Sequence, residues 1–193
     1  MTFNVVVEGQ SDLELIDKLI SDLRISQSIS IVAAGGKDAA RPLARQLAIL
    51  ERAPVVLVLD SDASSEEQAR KNLQDLRSYF SLAGISLESN IFLFTPTIEV
   101  IFFDRPNALE RCLRKRLSAT DLAIGKIGPK RMLNSLLGSS ARVRRFVAEL
   151  DDDALSDLRK QAGISELRMK ISGSGGGGRR KSSKPAKPSA EAS

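Results

Sequence analysis

The sequence predicts an α/β domain with a four-stranded, mostly parallel sheet, followed by a small all-helical segment. Three observations predict this fold: short apolar runs of strand length, amphipathic stripes between them, and purely helical patterns after residue 104. Right-handed crossovers would cover both faces of such a sheet with helices. We therefore expect an α/β domain over residues 1–104, a basic helical extension over 105–171 and a disordered basic tail over 172–193.

The first half of the chain alternates between strand and helix patterns. Helices are predicted from apolar stripes, such as Leu43, Leu47 and Leu50, and from the capping-box pair Ser64 and Glu67. The strands are predicted at four apolar, largely β-branched or aromatic runs, which are residues 5–7, 30–33, 55–59 and 91–94.

Helical patterns fill the second half. Pro106 and Pro129 suit the first turn of a helix, and an apolar stripe follows each of them. The segment from Ser172 onward is rich in Gly, Ser, Arg and Lys, and Ala is its one apolar side-chain type, so it cannot bury enough surface to offset the entropy of ordering. Such a tail is either a solubilising end or a nonspecific contact for nucleic acid.

The composition excludes several classes of function. One Cys and no His in 193 residues exclude a disulfide framework, Cys-rich zinc sites, and Ser-His-Asp or Cys-His catalysis. An enzyme of this composition must use carboxylates, lysines, hydroxyls and hard metals. No segment approaches the ~20 consecutive apolar residues of a membrane helix, and the start lacks a signal-peptide pattern. We expect a cytoplasmic protein with no membrane partner.

The net charge of +5 is unevenly distributed. Residues 1–104 carry nine basic and fifteen acidic side chains, residues 105–171 carry fifteen and eight, and residues 172–193 carry five and one. The three segments therefore have net charges of −6, +7 and +4. This division predicts an acidic core for chemistry and a separate basic surface for a polyanion.

Three carboxylates follow predicted strands. Glu8 ends the first strand, and Asp60 and Asp62 follow the third, where a spacing of two in an extended segment would point both aspartates the same way. If the first and third strands are neighbours, as in the order 2-1-3-4, all three meet at the carboxyl edge of the sheet. Such a cluster predicts a site for Mg²⁺ or Mn²⁺. The alternative is that each acid caps a helix or faces water.

These residues resemble the TOPRIM family, found in topoisomerases, bacterial primases and nucleases of the overcoming-lysogenisation-defect (OLD) class. Val5-Val6-Val7-Glu8-Gly9-Gln10-Ser11-Asp12 is similar to its first motif, and Val55-Val56-Leu57-Val58-Leu59-Asp60-Ser61-Asp62 is similar to its Asp-x-Asp motif. Ala34-Gly35-Gly36-Lys37 resembles the glycine turn after the second strand. The resemblance covers about residues 3–104 and is closest in pattern to stand-alone or OLD-like nucleases.

The resemblance implies a Rossmann-like TOPRIM domain with phosphoryl-transfer chemistry. Glu8 would act as general acid/base or metal ligand, and Asp60 and Asp62 would bind Mg²⁺. OLD-like members add an acid after the fourth strand, where Glu99 falls, so a second metal could assist in-line displacement. The alternative for Glu99 is a first-turn acid favoured by the helix dipole. Neither an ATPase motif nor a zinc ribbon is visible, and the only tyrosine, Tyr79, lies in a helical stripe, so nuclease activity is favoured over topoisomerase or primase activity.

The predicted extension is rich in positive charge. Residues 105–145 hold eleven basic side chains and two acids, which favours phosphate contacts over a merely solvated helix face. Segment 125–130 predicts a glycine-rich basic turn, and the OLD-like resemblance places a catalytic lysine there, which is Lys130 or Lys126; a plain connecting turn is the alternative. The basic residues expected to contact nucleic acid are Lys37, Arg111, Arg114, Lys115, Lys126, Lys130, Arg131, Arg142, Arg144 and Arg145.

Three functions are compatible with the sequence. The leading hypothesis is a Mg²⁺- or Mn²⁺-dependent nuclease or nuclease subunit that acts on nucleic acid, with DNA favoured over RNA and with a protein partner that supplies an ATPase or targeting function. The second is a non-catalytic module that binds metal and either nucleic acid or protein. The third is a receiver-like domain with Asp60 as phosphoacceptor, but the paired acids expected after its first strand are not visible.

Overall fold

The structure is a computed structural model that describes residues 2–25, 28–50, 52, 54–85 and 90–173. The strands are β1 (Phe3–Val7), β2 (Ile29–Ala33), β3 (Val55–Asp60) and β4 (Ile91–Phe94). The helices of the first half are α1 (Gln10–Ile20), α2 (Lys37–Leu50) and α3 (Glu66–Leu82), and those that follow are α4 (Ile101–Asp104), α5 (Asn107–Leu113), α6 (Ala119–Ile127), α7 (Pro129–Leu137), α8 (Ser140–Ala148), α9 (Asp152–Leu158) and α10 (Ala162–Gly173). Short 3-10 helices cover Ser21–Ile25 and Ile98–Val100.

Within the described residues the four strands form one parallel sheet in the order β2-β1-β3-β4. This is the predicted order, and the α/β prediction is confirmed. The order reverses between β1 and β3, so the segments that leave these two strands diverge and open a crevice at their carboxyl ends.

The two faces of the sheet are buried by different helices. The side chains of Val5, Val7 and Val58 pack against α1 and the helices that follow β4, whereas Val6 and Leu57 pack against α2 and α3. Strands that are covered on both faces have continuous apolar sequences, which explains why β1 and β3 lack the alternation of a half-exposed strand.

The helices after residue 104 share a core with the sheet. Leu109, Leu133, Phe146 and Ile171 are buried in the same cluster as α1 and the sheet face that α1 covers. Consequently α7 and α8 are packed with α1, and Lys130 of α7 reaches Asp60 at the end of β3.

Two sequence expectations about the second half need correction. Gly125 and Lys126 belong to α6 rather than to a turn, because α6 continues to Ile127 and only Gly128 separates it from α7. Ser172 and Gly173, assigned from the sequence to the basic tail, end α10. The rest of that tail, residues 174–193, lies outside the described residues. Across the ranges that the structure describes, no helix combines the length and hydropathy needed to cross a membrane.

Candidate metal and phosphate site

The carboxyl ends of β1 and β3 bring Glu8 and Asp60 together. The two strands are direct neighbours, and the backbone N–H of Asp60 donates a hydrogen bond to Glu8 Oε1 at 2.7 Å. The carbonyl oxygen of Glu8 accepts hydrogen bonds from the N–H groups of Gly35 and Gly36. Both glycines have positive φ, a conformation that other residues adopt reluctantly, so the glycine turn after β2 fixes the backbone of Glu8.

Asp60 is the buried centre of the site. Its side chain is almost fully enclosed, and its residue is 3% exposed. Oδ1 accepts a hydrogen bond from the N–H of Ile98 at 2.8 Å, and Oδ2 lies 2.6 Å from Nζ of Lys130. Asp60 therefore connects β3 to the segment after β4 and to the first turn of α7.

Asp62 differs from Asp60 in backbone conformation, exposure and partner. The expectation that an extended segment points both side chains the same way is wrong, because Asp62 has left-handed backbone conformation with φ of 51°. Its side chain is 63% exposed and forms an ion pair with Lys37 at 3.0 Å. Lys37 Nζ also donates to the carbonyl oxygen of Ser61 at 3.3 Å, so this lysine, expected to contact nucleic acid, holds the loop after β3.

Glu99 lies in the 3-10 helix that follows β4, and its residue is 9% exposed. The hydroxyl of Thr97 donates a hydrogen bond of 2.6 Å to Glu99 Oε2. Because Ile98 is bonded to Asp60, Glu99 is held close to the same cluster.

Sequence reasoning missed Asp12. It lies in the first turn of α1, is 7% exposed, and accepts a hydrogen bond from the N–H of Gly9 through Oδ2 at 3.0 Å. Oδ1 of this buried carboxylate makes no hydrogen bond within the described part of the chain. The signal was present, since Asp12 belongs to the quoted first motif and stands three residues after Gly9, but a first-turn acid also fits an ordinary helix cap.

Burial is the main influence on the pKa values of the acids in this cluster. Burial, with a contribution from the charge of Asp60, raises the pKa values of Glu8, Asp12 and Glu99. Burial acts to lower the pKa of Lys130, but the hydrogen bond to Asp60 and the charges of Glu99, Asp60 and Asp12 outweigh it and raise the pKa. Lys130 is therefore a permanent cation that compensates these carboxylates only in part.

The donor set suits a hard divalent cation. All the candidate ligands are carboxylates, and the unpartnered Oδ1 of buried Asp12 and the raised pKa values identify a place where added positive charge would be stabilised. In the present arrangement no group of three carboxylates among the described residues is close enough to form a metal centre, and both oxygens of Asp60 are engaged.

The two candidate lysines differ in position. Lys126, on α6, forms an ion pair with Asp104 at 3.0 Å. Lys130, in the first turn of α7, lies at the cluster because Pro129 begins that helix directly beside the segment after β4. The geometry thus separates two residues between which the sequence could not choose.

The remaining basic residues fall into separate groups. Arg114 and Lys115 line a cleft of about 690 Å³ together with Arg111, which pairs with Asp151 at 3.0 Å. None of these three lines either of the clefts that Lys130 lines. Arg144 and Arg131 each line one of the two clefts that Lys130 lines. Arg145 on α8 pairs at 2.7 Å with Glu149, which follows that helix, and Arg142 lies over Gly138.

Known proteins resemble this chain in structure rather than in sequence. No family model matches it, and no curated protein does. The C-terminal region of the Burkholderia pseudomallei OLD protein matches with a TM-score of 0.59 at 20% identity, over 89% of this chain and 97% of that chain. The C-terminal region of the Xanthomonas campestris pv. campestris OLD protein gives a TM-score of 0.51 at 16% identity, over 89% and 95%. The chain has an OLD-like TOPRIM fold, as the motifs predicted; at these identities the likeness concerns the fold.

Proposed function

We propose that this protein is a metal-dependent nuclease or nuclease subunit that cleaves phosphodiester bonds. The observation that carries the proposal is that Asp12, Asp60 and Glu99, from three separate segments, surround the ammonium group of Lys130. Glu8 joins them through its hydrogen bond from the backbone N–H of Asp60. Carboxylates that repel one another at the crevice of an α/β sheet indicate a site where a cation and a phosphate bind. The OLD-like fold supports this assignment, because it is the fold of nuclease-type domains.

The side chains would divide the work between metal and phosphate. Glu8, Asp60, Asp62 and Glu99 would hold Mg²⁺ or Mn²⁺ together with Asp12. Asp62 would have to leave its ion pair with Lys37 to take part. The metal, when bound, supplies Lewis-acid stabilisation of phosphate charge and activates water. Glu8, with its raised pKa and its position at the end of β1, is suited to exchange a proton at its carboxylate.

Lys130 is suited to bind a non-bridging oxygen of the phosphate that is cut. Its ammonium is half-exposed and remains charged, so it can contact Asp60 and a polyanion from the same position. Arg131 and Arg144, each of which shares a cleft with Lys130, would hold the flanking phosphates. We propose DNA as the polymer, a protein partner that supplies an ATPase or targeting function, and the cytoplasm as the place of action.

Plasmid cleavage tests the proposal. The full chain with Mg²⁺ or Mn²⁺ should nick or degrade supercoiled plasmid, and Asp60→Ala should abolish cleavage while circular dichroism shows an intact fold. Asp75→Ala is the matched control, because Asp75 is an exposed aspartate on α3 and is distant in sequence from the acids at the carboxyl edge. Equal cleavage by wild type and Asp60→Ala would overturn the assignment.

One observation favours a second candidate, a non-catalytic module that binds metal and nucleic acid. Both carboxylate oxygens of Asp60 are engaged, by the N–H of Ile98 and by Lys130, as in a site in which the ammonium replaces a metal. Calorimetry separates the two functions, since binding of Mn²⁺ and DNA without any turnover of DNA would establish the module.

A further inference from the structure

A cleft of about 470 Å³ opens directly beside Lys130 and Glu99. It lies between the first turn of α1 and the paired helices α7 and α8. Its volume falls within the ~300–1,000 Å³ that accommodates a small-molecule-sized group. The carboxylate and metal chemistry described above uses its rim but not its interior.

The interior of the cleft offers an apolar wall and a few polar groups. Val143, partly buried on α8, contributes apolar surface, and Leu133 of α7, 1% exposed, lies beneath it at the edge of the hydrophobic core. Arg144, exposed on α8, supplies a positive charge to the lining of the cleft. An apolar wall next to a cation matches a flat heterocycle attached to a phosphate.

Asn134 gives the cleft a directed hydrogen-bonding group. Its Oδ1 accepts a hydrogen bond from the hydroxyl of Ser140 at 3.1 Å, so the neighbouring helix fixes the orientation of the amide. With Oδ1 engaged in this way, Nδ2 is the donor that this lining residue can offer to a ligand. A carboxamide so placed can pair with the edge of a base.

We propose that this cleft binds the base and adjoining phosphate of an unpaired nucleotide next to the phosphodiester that is cut. The base would lie against Leu133 and Val143 with its edge toward Asn134, and its phosphate would contact Arg144. The inference rests on the proposed nuclease function and specifies its substrate as single-stranded or locally unpaired nucleic acid. A base inside a duplex stays stacked and paired, so it must be extruded before it can enter such a cleft.

An abasic scan tests the assignment. Single-stranded DNA substrates, each lacking the base at one position near the cleavage point, should be cut at wild-type rates except at one position, where the rate falls by about ten-fold. Ser140→Trp should fill the cleft and lower cleavage of the intact strand to the rate of that abasic substrate. Ser135→Trp is the matched control, because Ser135 is exposed on the same helix pair but does not line the cleft. If an active enzyme cut every abasic substrate at the same rate, the cleft assignment would be overturned.

A binding measurement keeps the cleft testable apart from cleavage. In EDTA, the side-chain amide resonances of Asn134 in ¹⁵N-labelled protein should shift on addition of short single-stranded DNA, and Ser140→Trp should suppress the shift. Resonance shifts confined to Arg114 and Lys115 would overturn the cleft assignment. A wild-type protein that shows the Asn134 shift but never cuts DNA would instead contradict the nuclease function and leave a nucleotide-binding cleft.

Discussion

Nζ of Lys130 lies 2.6 Å from Oδ2 of Asp60, although 70 residues separate the two in the sequence. The pair joins the first turn of α7 to the end of β3. An ammonium group and a divalent cation compete for the same carboxylate oxygen. Lys130, which would bind phosphate, therefore also competes with a metal for Asp60.

Lys130→Met should separate metal binding from catalysis. Without the ammonium, Asp60 Oδ2 is free and the acids lose their compensating charge, so calorimetry should show tighter Mn²⁺ binding than in the wild type. Cleavage should fall by roughly 10²–10³-fold, because a preorganised donor to the phosphate is lost. Lys126→Met, which removes the lysine paired with Asp104, should leave both quantities near wild type. Weaker Mn²⁺ binding in Lys130→Met would contradict this account.

Asp62→Gly should reduce cleavage without lowering the melting temperature. Asp62 has φ of 51°, a conformation that glycine adopts without cost, and the lost ion pair to Lys37 involves a mostly exposed carboxylate worth about 0–1 kcal/mol. Asp62→Val should lower the melting temperature, since a β-branched side chain resists positive φ. A large loss of stability in Asp62→Gly would show that the ion pair with Lys37 contributes more to stability than the backbone conformation of Asp62 does.

Removal of the Arg114 charge at the end of α5 should weaken nucleic-acid binding and make that binding less dependent on salt. Arg114 ends α5 with φ of 53°, so Arg114→Gly removes a charge from the cleft without straining the backbone. If Arg114 contacts a phosphate, the slope of log K against log salt should become shallower by about 0.9 on duplex DNA and by about 0.7 on single-stranded DNA. Arg70→Ala, on an exposed i,i+4 ion pair of α3, should leave the slope unchanged. An unchanged slope in Arg114→Gly would remove this surface from the nucleic-acid interface.

The fold could be predicted from the sequence because its signals are local. Short apolar runs such as 55–59, helical stripes between them and glycine at turns specify α/β alternation, and the topology rules then limit the strand order. The placement of α7 could not be predicted in this way. It depends on packing of Leu133 and Leu137 against the sheet cluster, which no local pattern encodes.

Part of the candidate site could also be predicted from local signals in the sequence. Glu8 and Asp60 follow neighbouring strands, so their proximity follows from strand order alone. The divergence of Asp62 results from one left-handed residue, and aspartate gives only a weak signal for that conformation. Asp12 looked like a helix cap, and the choice of Lys130 over Lys126 required the tertiary contact itself.

Gly125→Ala should destabilise the fold strongly. A Cβ at this position in α6 would enter the ring of Phe103, which is buried in α4. Overpacking of this kind costs about 1–3 kcal/mol, so thermal unfolding should show a clearly lower melting temperature. Gly128→Ala is the control, since a Cβ there meets open space and φ is −137°. Equal melting temperatures for wild type and Gly125→Ala would contradict the close approach of α6 to α4.

The attachment of α10 should weaken in acid. Asp22, in the 3-10 helix after α1, accepts two hydrogen bonds of 2.7 Å from Arg168 on α10 and pairs with Arg159 at 3.2 Å. The hydrogen bonds from Arg168 hold the pKa of Asp22 below its usual value. A carboxyl with a folded-state pKa below the unfolded value of about 3.9 stabilises the protein above that pH, and the contribution is lost as pH falls through the folded value.

Asp22→Asn should therefore lower the melting temperature near pH 7 and have progressively less effect below about pH 4. Because the Asp22 side chain is 43% exposed, the loss should be no more than about 1 kcal/mol and should shrink in high salt. Amide exchange should locate the loosening in α10. Asp75→Asn, on the exposed face of α3, should change neither the melting temperature nor exchange in α10. A wild-type–mutant difference that persists undiminished at pH 3 would show that Asp22 stabilises the fold by means other than its charge.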